Sequence, residues 1–323
     1  MTTVLVTAIG SFSADIVIKS LKKHGIRTIG CDIFPKEWIV NAYSVDSFYR
    51  VSRGTDCERY ISEIKEICAH EKVEYLFPLT DAEIDALNEN RTWFQENRVQ
   101  ICFSSKNTID ICRDKYQSYQ LLKNQNLRIQ IIPTIIAAEY QEKSIPDFPM
   151  VCKPLNGRSS QGMRRIYNKN ELQSYLNMID SEQYIVQPLI SGLVVTVDVV
   201  RQAETGTVIC VPRKELLRTV SGAGTSVHIF HDEMLLEECR KIADCLDIQG
   251  CVNFEFIESP EGTYYFLECN PRFSGGVKFS CMTGNDLVLE HLNCFSGKNL
   301  GALNPYQDCY IARKYEETIT AIG

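Results

Sequence analysis

In the stretch GCVNFEFIESPEGTYYFLECNPR, Gly250 to Arg272, two glutamates stand inside apolar runs. The Ser-Pro-Glu-Gly between the runs reads as a turn, so the whole reads as a β-hairpin. Tight pairing about Glu261-Gly262 sets Glu255 opposite Glu268, Asn253 opposite Asn270 and Ile257 opposite Phe266. The strand period puts these six on one face and leaves Phe254, Phe256, Leu267 and Cys269 for the core. Cross-strand neighbours lie about 5 Å apart, and like charges placed there repel. Two carboxylates and two amides make a cluster of hard oxygens. A divalent ion such as Mg²⁺, with phosphate and water in its remaining positions, converts that repulsion into binding. Two structural alternatives stand beside this: a one-residue slip that sends one glutamate to the other face, or neutralisation by Arg272 and another base.

Lys153 poses a similar question. It sits in PMVCKPL, an otherwise apolar strand, and a lysine there needs an anion, either a structural carboxylate or a phosphate. Three residues on begins NGRSSQG. Gly157 and Gly162 bound a segment with the hydroxyls of Ser159 and Ser160, backbone able to wrap phosphate oxygens or to form a plain solvated tip. It joins two strands and lacks the Lys-Ser/Thr of a loop that opens a helix, so it is not a P-loop. Arg213, Lys214 and Arg218 gather positive charge before SGAGTS, suited to a phosphoryl group or anionic substrate, or to a solvated edge. Asp81 and Glu83, after YLFPL, either face a cleft and bind a cation or cap the next helix. His228 and His231, three apart outside any helical pattern, make a poor zinc pair. The 14 cysteines include no CxxC. Cys239, Cys245 and Cys251 recur at six-residue steps, which suits neither a metal site nor a redox motif. They read as reduced, mostly buried thiols, with a disulfide framework as the alternative.

These residues need elements to hold them. The first third alternates strand and helix: VLVTAI, a helix over 13–24, IRTIGCDI, ERYISEIKEICAHE, VEYLFPL, a helix EIDALNENRTWFQEN and VQICFS. That rhythm implies a parallel sheet with helices on both faces. Gly10 and Asp32 sit where a dinucleotide fold would use them, but GSFSAD has one glycine where that fingerprint has three, so a scaffold is favoured over a nicotinamide site. From about Ile109 the texture changes. DICRDKYQSYQLLKNQN reads as one helix, SIPDFP as a connection, MVCKPL and MRRIYN as a hairpin around the glycine loop, NELQSYLNMI as a helix and QYIVQPLI as a strand. After Gly192 strands dominate, with one helix over Glu233–Leu246. The expected parts are 1–108, 109–190 and 191–323, α/β followed by α+β.

Composition sets the outer limits. The chain has 323 residues, 44% hydrophobic and 23% charged, with a net charge of −7. That fits a globular protein of two or three domains and gives no support for a nucleic-acid partner. No window approaches a membrane span, and MTTVLVTAIG lacks the basic start and long apolar run of a secretory signal, so a cytoplasmic protein is expected.

Together these pieces resemble the ATP-grasp superfamily, in its carbamoyl-phosphate-synthase-like and biotin-carboxylase-like branches, over almost the whole chain. The resemblance implies a Rossmann-like pre-ATP-grasp domain followed by a two-lobed ATP-grasp domain that clamps ATP. In RDKYQSYQLL it gives Lys115 to the nucleotide phosphates, and in MVCKP it gives Lys153 to phosphate and the adenine region. NGRSSQG, with Gly157, Ser159, Ser160 and Gly162, closes over the phosphates. YIVQPLISG holds adenine by backbone groups, with Gln187 where Glu is usual, then Pro188, and Leu189 at the hinge. NFEFI and FLECNPR give Glu255, Glu268 and Asn270 to Mg²⁺, with Mn²⁺ as an alternative, and Arg272 to phosphoryl transfer, with Arg213 as a weaker candidate. One departure is SGLVVTVD. It puts Val194 where relatives often carry a ribose-contacting residue, and Asp198 lies four residues on. The implied activity is a stand-alone carboxylate–amine (or thiol) ligase: a carboxylate becomes an acyl phosphate and an amine displaces the phosphate. A small-molecule kinase and a nucleotide-binding regulatory protein are the alternatives. The partners implied are a small acid, a small amine and a second copy of the chain through the first lobe.

Overall fold

The computed structural model describes residues 2–140, 148–158, 161–220 and 222–322. Five short strands open the chain: β1 (Thr3–Val6), β2 (Arg27–Asp32), β3 (Ser47–Arg50), β4 (Tyr75–Phe77) and β5 (Gln100–Ile101). They form a parallel sheet in the order β3-β2-β1-β4-β5. Helices α1 (Ala14–Lys23), α2 (Cys57–Glu71), α3 (Asp81–Asn88) and α4 (Arg91–Glu96) cover it. Every residue of β1 is buried, as a strand covered on both faces requires. The single helix expected over EIDALNENRTWFQEN is broken: α3 and α4 are separate, and Asn90 at the break has non-helical backbone.

The helix expected over DICRDKYQSYQLLKNQN is broken as well. α5 (Lys106–Arg113) and α6 (Lys115–Leu122) meet at Asp114, whose backbone is extended. Its carboxylate accepts from the amides of Tyr116 at 2.8 Å and Gln117 at 3.0 Å, an N-cap that restarts the helix with Lys115 as its first residue. The strands β7 (Ile135–Ile136), β8 (Met150–Pro154), β9 (Arg164–Ile166) and β10 (Tyr184–Pro188) form a four-stranded antiparallel sheet in the order β7-β10-β8-β9. With α7 (Lys169–Leu176) it encloses a small core of its own around Met150, Cys152, Ile166 and Val186. Most of the expected SIPDFP connection lies outside the described residues.

The remaining strands make a seven-stranded sheet in the order β16-β13-β12-β11-β14-β15-β6. Its strands are β6 (Gln130–Ile131), β11 (Leu193–Gln202), β12 (Thr207–Arg218), β13 (Gly224–Ile229), β14 (Gly250–Glu258), β15 (Tyr264–Asn270) and β16 (Cys309–Ala312). One face, with Val195, Val197, Cys210, Phe254 and Phe266, packs under α8 (Glu233–Cys245). Parts of the other face join the first sheet in one continuous core with α1, α9 (Val277–Cys281) and α10 (Leu287–Asn293). The intervening positions, Thr196, Asp198, Arg213, Glu215, Asn253, Glu255, Glu268 and Asn270, follow the two-residue strand period to that second face. They are not needed for its apolar packing and are free to build a polar wall.

The opening hairpin has the expected partners at its base and a different turn. Asn253 pairs with Asn270, Phe254 with Cys269 and Glu255 with Glu268. Beyond a bulge, Phe256 pairs with Phe266, Ile257 with Tyr265 and Glu258 with Tyr264. The turn spans three residues between Ser259 and Thr263, closed by Ser259 N–H to the Thr263 carbonyl at 2.9 Å, with Gly262 at φ +79°. That odd loop shifts the pairing by one residue, and the bulge at Leu267 shifts it back. The expectation for the outer half of the hairpin is corrected accordingly: Phe266 is core, Leu267 lines a cavity, and Ile257 does not face Phe266.

All 14 cysteines are free, and most are buried. No helix among the described residues is long and apolar enough to cross a membrane.

Candidate active site

The three sheets meet around a cavity of about 510 Å³. The first sheet contributes Ser11–Ser13 after β1 and Leu79–Ala82 after β4. These strands are neighbours on opposite sides of the point where the strand order reverses, the usual ligand crevice of such a sheet. The four-stranded sheet contributes Lys153, Pro154, Gly157 and Met163, and the large sheet contributes its polar wall.

Glu255 and Glu268 lie opposite each other at the centre of that wall, with side chains 19% and 26% exposed. Burial pushes the Glu255 carboxyl up, the charge of Glu268 adds to this, and Arg218 at 3.4 Å opposes it. For Glu268 burial acts upward too, but Lys115 at 3.5 Å, Lys153 and the Asn270 amide outweigh it and hold the carboxyl below its usual range. The two facing carboxylates therefore differ: lysines hold Glu268 below its usual range, whereas burial and Glu268 outweigh Arg218 and leave Glu255 above its own. Their oxygens, with that of Asn270, are the hard donors Mg²⁺ prefers, and the repulsion left on Glu255 is what a dication would remove. The donor set fits the ion.

Asn253 is explained differently. It is 2% exposed. Its amide donates to the Arg272 carbonyl at 3.1 Å, and its oxygen accepts from Asn270 Nδ2 at 3.3 Å. It fixes the backbone and side chain of its neighbours.

Lys153 is 8% exposed. Burial lowers it from 10.5 to about 8; Lys115 adds to the fall, and Glu268 and Glu255 counter it. Lys115 Nζ donates to the carbonyls of Gly157 at 3.0 Å and Leu155 at 3.5 Å. Gly162 has φ +70°, a conformation that suits glycine, and a Cβ there would lie 2.9 Å from Pro154. Ser159 and Ser160 lie outside the described residues.

Arg272 donates through Nε and Nη2 to the two oxygens of Asp81, at 3.2 and 3.1 Å. Asp81 thus faces the cleft and holds a cation, a guanidinium. Glu83 caps α3 in a capping box with Thr80 and also accepts from Thr7 Oγ1 at 2.7 Å. Burial raises Glu83 to about 7.

Arg213, 1% exposed, spends its donors inside the wall. They reach Asp198 at 2.6 Å, Glu215 at 2.9 Å, Ser274 at 2.9 Å and Ser280 at 3.3 Å. Asp198, which the sequence left near the ribose question, is committed to this network. Lys214 pairs with Glu258 at 2.6 Å. His228 stacks on Tyr310 at 4.4 Å, and His231 pairs with Glu233 at 2.8 Å.

Gln187 is 5% exposed and donates to Thr134 Oγ1 at 2.7 Å. It lines a nearly closed recess of about 10 Å³ that shares Lys115, Leu267 and Glu268 with the main cavity. Pro188 and Leu189 do not line it, and the Leu189 amide donates to the Pro149 carbonyl at 3.0 Å.

Sequence reasoning missed Thr196, Asp85 and Arg158. Thr196 pairs with Glu255 across β11 and β14 and shares its face; its place in VVTVDVV carries the signal, since it alternates with buried valines. Asp85, one turn after Asp81, holds Arg113 Nε at 2.9 Å and Arg158 of the glycine loop. No local pattern marks that pairing.

Known proteins share this fold. The ATP-grasp domain family matches residues 112–276, just over half of the chain, and the PylC-like N-terminal domain family matches residues 4–102. The carbamoyl phosphate synthase large chain of Clostridium acetobutylicum is 23% identical over 301 residues, 88% of this chain and 27% of that protein. That of Thermoanaerobacter pseudethanolicus is 27% identical over 228 residues, 64% of this chain and 21% of that one. The chain thus spans about a quarter of the length of these relatives. Among solved structures, a biotin carboxylase from Campylobacter jejuni superposes with a TM-score of 0.77 at 19% identity, covering 93% of this chain and 72% of that one. The N5-carboxyaminoimidazole synthetase of Staphylococcus aureus gives 0.73 at 15% identity, covering 95% and 79%. These likenesses show the fold, and the family match covers Lys115, Lys153, both facing glutamates and Arg272: the chain belongs to the ATP-grasp family.

Proposed function

We propose that the protein joins a small carboxylic acid to an amine at the expense of ATP. The observation that carries this reading is the asymmetric pair Glu255–Glu268 beside two lysines in one cavity. A bound Mg²⁺ or Mn²⁺ would neutralise charge on the phosphates. Glu255, Glu268 and Asn270 are the residues that would hold it. Lys115 and Lys153 would meet the phosphate oxygens, and the segment from Gly157 to Gly162 would cover them and exclude water from an acyl phosphate. Gln187 would stand beside the base once the closed recess opens, with the backbone of Pro188 and Leu189 at the hinge.

The acid's carboxylate would attack the terminal phosphoryl and expel ADP, giving an acyl phosphate, and the amine would then displace phosphate from it with loss of a proton. Arg272 would steady the anionic transition state. Its bidentate bond to Asp81 fixes the orientation of the guanidinium in the cavity wall. Arg213, with its donors already committed, is better suited to positioning Ser274 than to touching the phosphoryl group. The three parts of the chain expected from the sequence serve this reading as a substrate-facing first domain and two lobes that enclose ATP.

The test is a screen of amino acids in pairs, followed by ATP-dependent phosphate release. Release that needs both an acid and an amine supports the reading. ADP formation with a lone hydroxyl acceptor and no free phosphate overturns it in favour of a kinase, and the absence of ADP from every pair overturns it in favour of a nucleotide-binding protein without turnover.

A further inference from the structure

A second concavity, about 630 Å³, lies outside the ATP cavity, at the carboxyl ends of β2 and β3. One wall is aromatic. Phe34 and Trp38 are 43% and 74% exposed, with ring centres 5.9 Å apart and planes tilted by 31°. The other wall is cationic, with Arg50, Arg53 and Arg59. Arg50 Nε donates to the Ile33 carbonyl at 3.2 Å, which anchors its guanidinium at the foot of the aromatic wall.

The carboxylate lining the groove is already committed. Glu63 accepts from Ser52 N at 2.6 Å, Ser52 Oγ at 3.0 Å and Arg59 Nε at 3.1 Å. Arg53 has no ion pair or side-chain hydrogen bond among the described residues. Of the neighbouring charges on the segment that carries the rings, Lys36 lies over the Tyr43 ring at 5.0 Å. The groove therefore presents two guanidinium groups, those of Arg50 and Arg53, without carboxylate partners among the described residues, in a chain of net charge −7.

A tilted pair of exposed rings facing arginines, with the local acid neutralised, complements a flat ligand that carries negative charge. The carboxyl ends of parallel strands are also where such sheets place ligands. The neighbouring Asp32 does not offer a ribose contact: its two oxygens accept from Gly10 N at 2.8 Å and Phe34 N at 3.1 Å. We propose that this groove binds a planar aromatic anion, its ring against Phe34 and Trp38 and its anionic group on Arg50 and Arg53. A nucleoside monophosphate and an aromatic carboxylate share that chemistry.

The chain has two tryptophans, so Trp93→Phe leaves Trp38 as the local reporter. Its emission would be titrated with AMP and, separately, with benzoate, using adenosine, benzamide and inorganic phosphate as controls. Saturable quenching by either anion and by none of the controls supports the groove, and the responding arm distinguishes the source. Arg53→Gln and Arg50→Gln, both exposed positions, should each weaken that binding about ten-fold or more, with the unliganded ATP-dependent turnover unchanged. Three outcomes overturn the proposal: no saturable response to either anion, an equal response to the neutral controls, or unchanged affinity in the double arginine variant. An emission that follows protein concentration instead would also overturn it and assign the face to a second copy of the chain.

Discussion

At the residue scale, the site is a set of charges held away from their comfortable values. Glu255 is the least satisfied: burial and the facing Glu268 both disfavour its ionised form. Glu255→Gln should therefore raise the melting temperature of the metal-free protein by roughly 1–3 °C, while lowering Mg-ATP turnover at least about a hundred-fold. Glu268→Gln should lose turnover similarly but lower the melting temperature, because Glu268 is stabilised as an anion by Lys115 and Lys153. Calorimetry and ADP release read both, and near-normal turnover in either variant would sink the metal assignment. Lys153 carries the opposite sign. With its folded value near 8 rather than 10.5, the folded state holds fewer protons than the unfolded one between those values. Stability rises with pH across that window. Lys153→Met should thus stabilise the unliganded protein most below pH 8, with the gain fading as pH approaches 10.5. In Lys153→Arg, whose charge does not titrate there, the KM for ATP should stay flat between pH 7 and 9, whereas the native enzyme should weaken.

At the scale of elements, positions in the chain are set by small breaks in regularity. The three-residue turn and the Leu267 bulge offset each other, so the glutamates face one another although the outer half of the hairpin is shifted. Asp114 interrupts what the apolar pattern reads as one helix, and in doing so starts α6 at Lys115. Helix α3 is capped by Glu83, which also bonds Thr7 and is raised by burial to about 7. An acid whose folded value exceeds its unfolded value loses stability as pH rises between the two, here from 4.5 to about 7. Glu83→Gln, which keeps an accepting oxygen, should raise the melting temperature at pH 8 and change it little at pH 5. A larger effect at pH 5 would show that the carboxyl is not the strained group.

At the scale of the whole molecule, α3 of the first sheet ties three arginines from three different elements. Asp81 takes Arg272 from the hairpin, and Asp85 takes Arg113 from α5 and Arg158 from the glycine loop. The first and large sheets share one core, whereas the four-stranded sheet packs around its own, and the Asp85–Arg158 pair links the loop to the first domain alongside the bonds of Arg113 and Lys115 to the Asn156 and Gly157 carbonyls. Asp85 is 38% exposed, so its loss should leave the fold intact. Asp85→Asn should speed tryptic cleavage after Arg158 several-fold and raise the KM for ATP, with little change in melting temperature. Unchanged cleavage would show that the loop is held by other contacts.

What the sequence determined by itself was local and periodic. Alternation put Glu255, Glu268, Asn253 and Asn270 on one face, and the strand–helix rhythm specified a parallel first sheet, because side-chain direction follows directly from the period of the backbone. It also marked Lys153 as a cation in an apolar strand. What only the tertiary structure decided was partnership across distance. Arg213 is closed inside a carboxylate and hydroxyl network, Arg272 is held by Asp81, and Asn253 braces Arg272 and Asn270. Those outcomes depend on which charged groups the packing of separate sheets brings within 3 to 4 Å, and neither spacing nor composition along the chain carries that information.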